Sequence, residues 1–232
     1  MDITRIMQPA IDPALPVGPQ VFALIHQRII TNTLHPGTRI SETEVARDYG
    51  ISRQPVREAF IKLAEEGLVE VRPQRGTYVR KISVQAVMDA RFVREAIEAE
   101  VVRLLAASPR PALMQDLLHQ IETQKSILET DLQAFMPLDD RFHRTLAEAA
   151  GKHFAWTVVD GMKSQMDRVR QLSTLRLRKE SVIEHHTAIA RALGAGDANA
   201  AEAAMRRHLR EILTDLPLIR QSLPEYFDET GA

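Results

Sequence analysis

Between Ser41 and Val79 the chain reads SETEVARDYGISRQPVREAFIKLAEEGLVEVRPQRGTYV, and its caps, glycines and prolines leave few ways to fold. Ser41 followed by Glu44 is a capping box, in which the serine oxygen accepts from a free N-terminal N–H and the glutamate reaches back to the cap. Val45, Ala46 and Tyr49 supply inward positions, and Gly50 can take the left-handed conformation that ends a helix. Ile51 fills the turn and Ser52 offers a second cap. Pro55 is tolerated because it falls in the first turn of a new helix, where no N–H is needed. Val56, Ala59, Phe60 and Leu63 share one face of that helix, while Gln54 and Arg57 point away from it and Arg53 stands at its start. Gly67 stops it. Leu68, Val69 and Val71 then alternate as a strand, Pro73-Gln74-Arg75-Gly76 turns, and Thr77-Tyr78-Val79 returns.

Two helices joined by a tight turn and followed by a hairpin form a winged DNA reader, with the second helix entering the major groove by its N-terminal end. Arginine there can donate twice to guanine O6 and N7, and glutamine can bond adenine in the same way. Serine and the backbone N–H groups at a helix start suit a phosphate oxygen. From Gln20 to Lys81 ten Lys/Arg stand against seven Asp/Glu, on a chain whose formal net charge is −1. The basic excess therefore sits with the groove reader.

The run PGTRISETEVARDYGISRQPVREAFIKLAEEGLV, from Pro36 to Val69, resembles the winged-helix domain of GntR-family transcription regulators, and the likeness spans about residues 17–80. In that family the DNA contacts come from the turn before the recognition helix, its first turns and the wing tip. Carried over by position, the resemblance implies contacts at Thr43, Ser52, Arg53, Gln54, Arg57 and Gly76.

The 232 residues suffice for two domains, one small and one of ordinary size. With no cysteine, neither disulfides nor thiolate metal sites can form, which fits a reducing cytoplasm. No apolar run is long enough to cross a bilayer, and no basic-then-apolar export segment opens the chain, so a cytoplasmic location without membrane contact is expected. Residues 1–16, rich in proline, read as an extended arm that runs on through Pro19. Beyond Lys81 strand signals give way to helical periodicity. Helices are expected near 83–107, 111–129, 131–150, 152–172, 174–193 and 197–215, with Pro217 and Pro224 ending regular structure. The expected architecture is mainly α: a winged helix-turn-helix over 17–80, an all-α antiparallel bundle over 81–217, and a tail over 218–232.

Four polar residues fall on the apolar stripes of this bundle. Phe135, Phe142, Leu146 and Ala150 face inward on one helix, and Asp139 and His143 lie within that stripe four residues apart. His186 lies with Val182, Ile189 and Leu193, and His208 with Ala201, Met205, Leu209 and Ile212. A bare carboxylate in such a core costs several kcal/mol unless it is compensated. An acid and three imidazoles from three helices can converge on one divalent cation, zinc first, with manganese, nickel, iron or cobalt also suited. Asp139 could instead pair with an arginine, and a one-residue change of phase would put Asp140 or His185 inward.

The pattern Asp139-x-x-x-His143, His186-x-x-Ile189 and Ala-Met-Arg-Arg-His208-Leu is similar to the C-terminal effector domain of the FadR subfamily, the FCD type, over most of residues 84–216. Many members hold a metal on an aspartate and three histidines at these positions, and the metal helps hold a small carboxylate effector. Arg94 lies on an inward stripe with Ile97, Val101 and Leu105. Its planar fork matches a carboxylate, although a local Arg94–Glu98 pair is the plainer reading. Arg168 and Arg170 are weaker candidates, expected to be mostly solvated.

The resemblance implies a homodimeric repressor of double-stranded operator DNA that releases its site on binding a small organic acid. It is not expected to be an enzyme. Two rivals are a metal-dependent hydrolase and a regulator whose metal is only structural.

Overall fold

The computed structural model describes residues 11–108, 110–128, 134–174 and 180–229, which fall into two compact units. The expected arm at 1–10 and the start of the helix expected at 131 lie outside the described residues.

The first unit comprises helix α1 (Val17–Ile30), strand β1 (Arg39–Ile40), helices α2 (Glu42–Tyr49) and α3 (Arg53–Glu65), and strands β2 (Val69–Arg72) and β3 (Gly76–Val79). Its antiparallel sheet has the order β1-β3-β2, with Arg72 opposite Gly76 at the hairpin. Ser41 Oγ accepts from the backbone N–H of Glu44 at 3.4 Å, and Gly50 caps α2 at φ 64°. Ser52 precedes α3 but makes no side-chain cap bond, so only one of the two expected caps forms. Val56, Ala59, Phe60 and Leu63 are buried against Val21, Ile25 and Ile29 of α1. Pro19, assigned to an extended arm, instead sits in the first turn of α1, a position that proline favours.

The second unit is all helical: α4 (Val84–Ala106), α5 (Pro111–Leu128), α6 (Phe135–Ala149), α7 (His153–Met162), α8 (Ser164–Thr174), α9 (Glu180–Gly194), α10 (Ala198–Arg210) and α11 (Ile212–Ser222). Val102, Leu105, Leu117, Phe142, Ile189 and Met205 form the centre of its core. Two expectations fail here. The helix expected over 152–172 breaks at Lys163 into α7 and α8, two residues after Gly161, a poor helix former. Lys163 is buried there, its ammonium 2.8 Å from Asp140 Oδ2, so the break also places a charge between its acids. The helix expected to end at 215 breaks instead near Glu211, and α11 runs on through Pro217, so residues 218–222 are helical rather than tail. Proline removes one donor there, to the carbonyl of Leu213, which lies on the exposed side of the bundle.

Residues 225–229 belong to the first unit. The Ile82 N–H donates to the Tyr226 carbonyl at 2.8 Å, the Asp228 N–H donates to Ile82 at 3.0 Å, and Phe227 is buried.

In the bundle, buried Glu95 on α4 takes three arginines: Arg91 at 2.7 Å, Arg206 at 2.9 Å and Arg210 at 3.0 Å, the last two on α10. The Arg210 hydrogen bond leads in holding its carboxyl at about 2, against burial, with Arg206 and Arg91 assisting. A depressed carboxyl stabilises the fold above its unfolded value and loses that contribution as pH falls through its folded value. Glu95→Gln is therefore expected to lower stability by about 2 kcal/mol at pH 7. The gap to the parent should close as pH falls from 4.5 towards about 2, as urea unfolding over that range would measure.

Candidate metal centre and nucleic-acid interface

The four groups picked out by helical phase come together. Asp139 and His143 on α6, His186 on α9 and His208 on α10 are all buried, with one ligand atom from each lying within 4.8 Å of the others. Asp140, the alternative to Asp139, faces Lys163. His185, the alternative to His186, pairs with Glu211 at 3.4 Å.

A second ring of side chains orients the first. Gln124 on α5 donates through Nε2 to the Leu138 carbonyl at 3.1 Å. A carbonyl only accepts, so the Gln124 amide oxygen must face His186 Nδ1, 2.8 Å away. His186 therefore carries its proton on Nδ1 and presents an Nε2 lone pair, 3.5 Å from Asp139 Oδ1. The Phe142 ring stacks on His186 with centroids 4.0 Å apart. His143 Nδ1 lies against Glu98 Oε2, which by the same logic leaves its Nε2 for the centre. Glu98 Oε1 is held in turn by Arg94 Nε at 2.6 Å. Asp139 Oδ2 is bound by Arg170 Nη2, so the pairing of this acid with an arginine and its place in the cluster both hold.

The remaining atoms are the informative ones. Asp139 Oδ1 and His186 Nε2 are buried with no hydrogen-bond partner among the described residues, and His143 Nε2 and His208 Nε2 stand 3.0 Å apart. Orphaned buried acceptors cost about 1–3 kcal/mol each. A divalent cation with nitrogen and oxygen ligands would satisfy this set, so the residues fit the metal that the sequence implied.

Burial keeps two of the three imidazoles, those of His186 and His208, in the neutral form. Burial pushes His186 down to about 3 against the pull of Asp139, and burial with His186 and His143 holds His208 well below its ordinary value. Burial works to raise Asp139, but Arg170 and the three histidines outweigh it and keep the carboxyl ionised. Burial likewise opposes the ionised form of Glu98, yet Arg94 and His143 hold it at about 2.

Arg94 is buried and, besides its bond to Glu98, keeps Nη2 without a partner among the described residues. The plainer reading and the ligand reading of Arg94 thus coexist. The expectation of solvated arginines on α8 is overturned: Arg168 is fully buried, and Arg170 is the counter-ion of Asp139. Sequence reasoning also missed Gln124, whose place on the inner face of α5 was its only signal. A small, mainly apolar cavity borders the cluster, lined by Glu98, Val101, His143, Trp156 and Met205 among others.

On the first unit, Thr43, Ser52, Arg53, Gln54 and Arg57 are all exposed. Arg53 lies 3.8 Å from Glu42, and Gln54 bonds Glu58 at 2.9 Å. Exposed pairs of this kind contribute little, about 0–1 kcal/mol, and yield readily to a better anion. Gly76 sits at the wing turn with φ 108°, where a Cβ would come within 2.8 Å of Arg39 Nε.

A winged groove reader joined to a helical bundle defines a transcription regulator. Residues 18–79 match the family described as bacterial regulatory proteins, gntR family, and residues 89–211 match the FCD domain. The chain belongs to the gntR family of bacterial regulatory proteins, in its FCD-type branch. It is 39% identical over 221 residues to the HTH-type transcriptional repressor RspR of Escherichia coli K12, covering 94% of this chain and 97% of that one. It is 30% identical over 198 residues to the probable D-xylose utilization operon transcriptional repressor of Paenarthrobacter nicotinovorans, covering 85% and 87%. The fold is similar to that of E. coli McbR/YncC, with a TM-score of 0.73 and 17% identity over 90% of this chain and 99% of that chain. These relatives are regulators, not enzymes, and among the described residues no helix is long and apolar enough to cross a membrane.

Arg170→Met, in metal-free protein, is expected to destabilise the bundle by about 3–5 kcal/mol, because it leaves the Asp139 charge buried without its counter-ion. Adding Asp139→Asn should recover much of that loss in chemical denaturation.

Proposed function

We propose that this chain is a homodimeric repressor whose hold on operator DNA is released by a small carboxylate bound beside a divalent metal in the FCD bundle. The supporting observation is the charge balance of the buried site. Glu98 and Asp139 are matched by Arg94 and Arg170, and the His186 and His208 imidazoles are held neutral. A divalent cation, zinc first, would add two uncompensated positive charges and open positions for an anionic oxygen. Arg94 Nη2, buried and unpartnered, offers a further donor suited to a carboxylate. A small acid is thus a ligand that moves the site back towards neutrality, by one charge for each carboxylate it brings.

DNA recognition rests with Thr43, Ser52, Arg53, Gln54, Arg57 and the wing turn at Gly76. Arg53 and Arg57 serve guanine edges or phosphates, and Gln54 serves adenine. Two heads would read the half-sites of a pseudo-palindrome. Pairing of two chains is supported by the outer faces of α4 and α7, which leave Phe92 65% and Phe154 78% exposed beside Val158. A regulator of operator DNA works in the cytoplasm.

On operator DNA selected from a random pool, Arg57→Ala is expected to weaken the electrophoretic shift by about 1–3 kcal/mol. A panel of small carboxylates should include one that releases the metal-loaded parent. Arg94→Met should keep DNA binding and lose that response. If no acid in a broad panel changes the shift or raises the melting temperature, the metal is structural and the sensing role fails.

Metal binding has a separate check. Gln124→Leu removes the group that fixes the His186 tautomer, and should weaken zinc binding by about 10–100-fold in calorimetric competition.

A further inference from the structure

The four candidate ligands are sealed in the bundle, His208 being the most accessible at 8% exposure. A cation cannot reach such a site through packed helices, and a buried site needs an entry path. Beside it lies a second cluster: His185, His208 and Glu211 place one ligand atom each within 4.8 Å of one another. His208 is common to both clusters. Its ring has two nitrogens on different edges; Nε2 stands 3.0 Å from His143, and Nδ1 is buried without a partner among the described residues. The His185 and His208 rings lie 5.8 Å apart, centroid to centroid. His185 and Glu211 are only partly buried, and both line an open cleft formed with Arg206, Arg207, Arg210 and Thr214.

We infer that His185, His208 and Glu211 form a transfer site by which a divalent cation passes from this cleft into the buried four-ligand centre. The inference rests on the metal reading above. Its chemistry is that of a loading site: two imidazoles and one carboxylate suit the same borderline cations as the inner set. With only three donors, two of them on the partly exposed His185 and Glu211, it holds a cation less tightly than the buried four-ligand site and passes it on. Two of the three arginines at the mouth are already engaged by acids. Arg206 is tied to Glu95 and Glu202, and Arg210 is tied to Glu95. Glu211 is steadied by Ser181 Oγ on its other oxygen. His208, shared between the clusters, is the residue across which the cation moves.

A transfer site changes rates in both directions and leaves the final equilibrium alone. The test follows zinc loading of full-length metal-free protein and zinc extraction by an excess of chelating dye, with affinity and stoichiometry taken from calorimetry. His185→Ala and Glu211→Gln are expected to slow loading and extraction several-fold alike, with the affinity of the inner centre and a single tightly held zinc per chain unchanged. Far-UV circular dichroism checks that each variant is folded, and the near-isosteric Glu211→Gln serves if His185→Ala is not. Unaltered rates overturn the inference. So does a matching loss of affinity, which makes these residues supports of the inner ligands, or a second zinc held at equilibrium and lost in His185→Ala, which makes the cluster a static site. If the parent binds no zinc, it is the reading of the inner centre that falls.

Discussion

The Asp139 carboxylate, buried in a helical core, is the constraint around which the second unit is organised. A carboxylate removed from water must be met by opposite charge and by hydrogen bonds or it will not stay ionised. Here Arg170 takes one oxygen, His186 stands 3.5 Å from the other, and His143 and His208 complete the cluster around the carboxylate. Arg170 is itself 3.3 Å from Asp167, and Lys163 is 2.8 Å from Asp140. The charge needed at one residue thus propagates through α6 and α8 as an alternating chain. That chain holds Lys163 at the break between α7 and α8, where Gly161, two residues earlier, already weakens a continuous helix.

Much of the site was legible because helical phase is a strong signal. Asp139 and His143 stand four apart on a stripe of phenylalanine and leucine, and a polar residue on such a stripe has few explanations. The supporting groups were not legible for a physical reason. Gln124 and Arg170 are residue types that usually face water, and nothing local marks an arginine as the counter-ion of a particular acid on another helix. Only the requirement that a buried acid be compensated points to one, and that requirement does not say which. In the first unit the two-helix motif and hairpin were readable from caps and turns. Helix α1, with Val21, Ile25 and Ile29 at four-residue spacing, carried an equally plain periodicity that the search for a groove reader passed over. Pro217 misled because proline stops helices by rule, whereas one lost bond on an exposed side costs less than giving up the packing of Leu216 and Ile219.

The recognition residues and the buried centre differ in how firmly they are held. Arg53 and Gln54 rest against Glu42 and Glu58 in pairs that water screens, so exchanging those partners for a phosphate or a base edge costs little. His143 and His186 are fixed through Glu98 and Gln124, which are themselves anchored. The head is therefore adaptable where it meets a partner that supplies its own charge, and the centre is rigid where its donors must converge.

Coupling between two such regions depends on how they are joined. The chain crosses between the units twice, at Ser83–Val84 and again at Pro224–Glu225. The second crossing is not a loose end, because Tyr226 and Phe227 bond to and pack with Ile82, the residue just before the first crossing. Both crossings thus converge on one short parallel bridge in the head. A ligand can shift an equilibrium only by its difference in affinity for the two states, and a single flexible linker would let the head disregard changes in the bundle. Here the two crossings are tied to each other, and both sides of the tie, at Ile82 and Phe227, belong to the unit that carries Arg53 and Arg57.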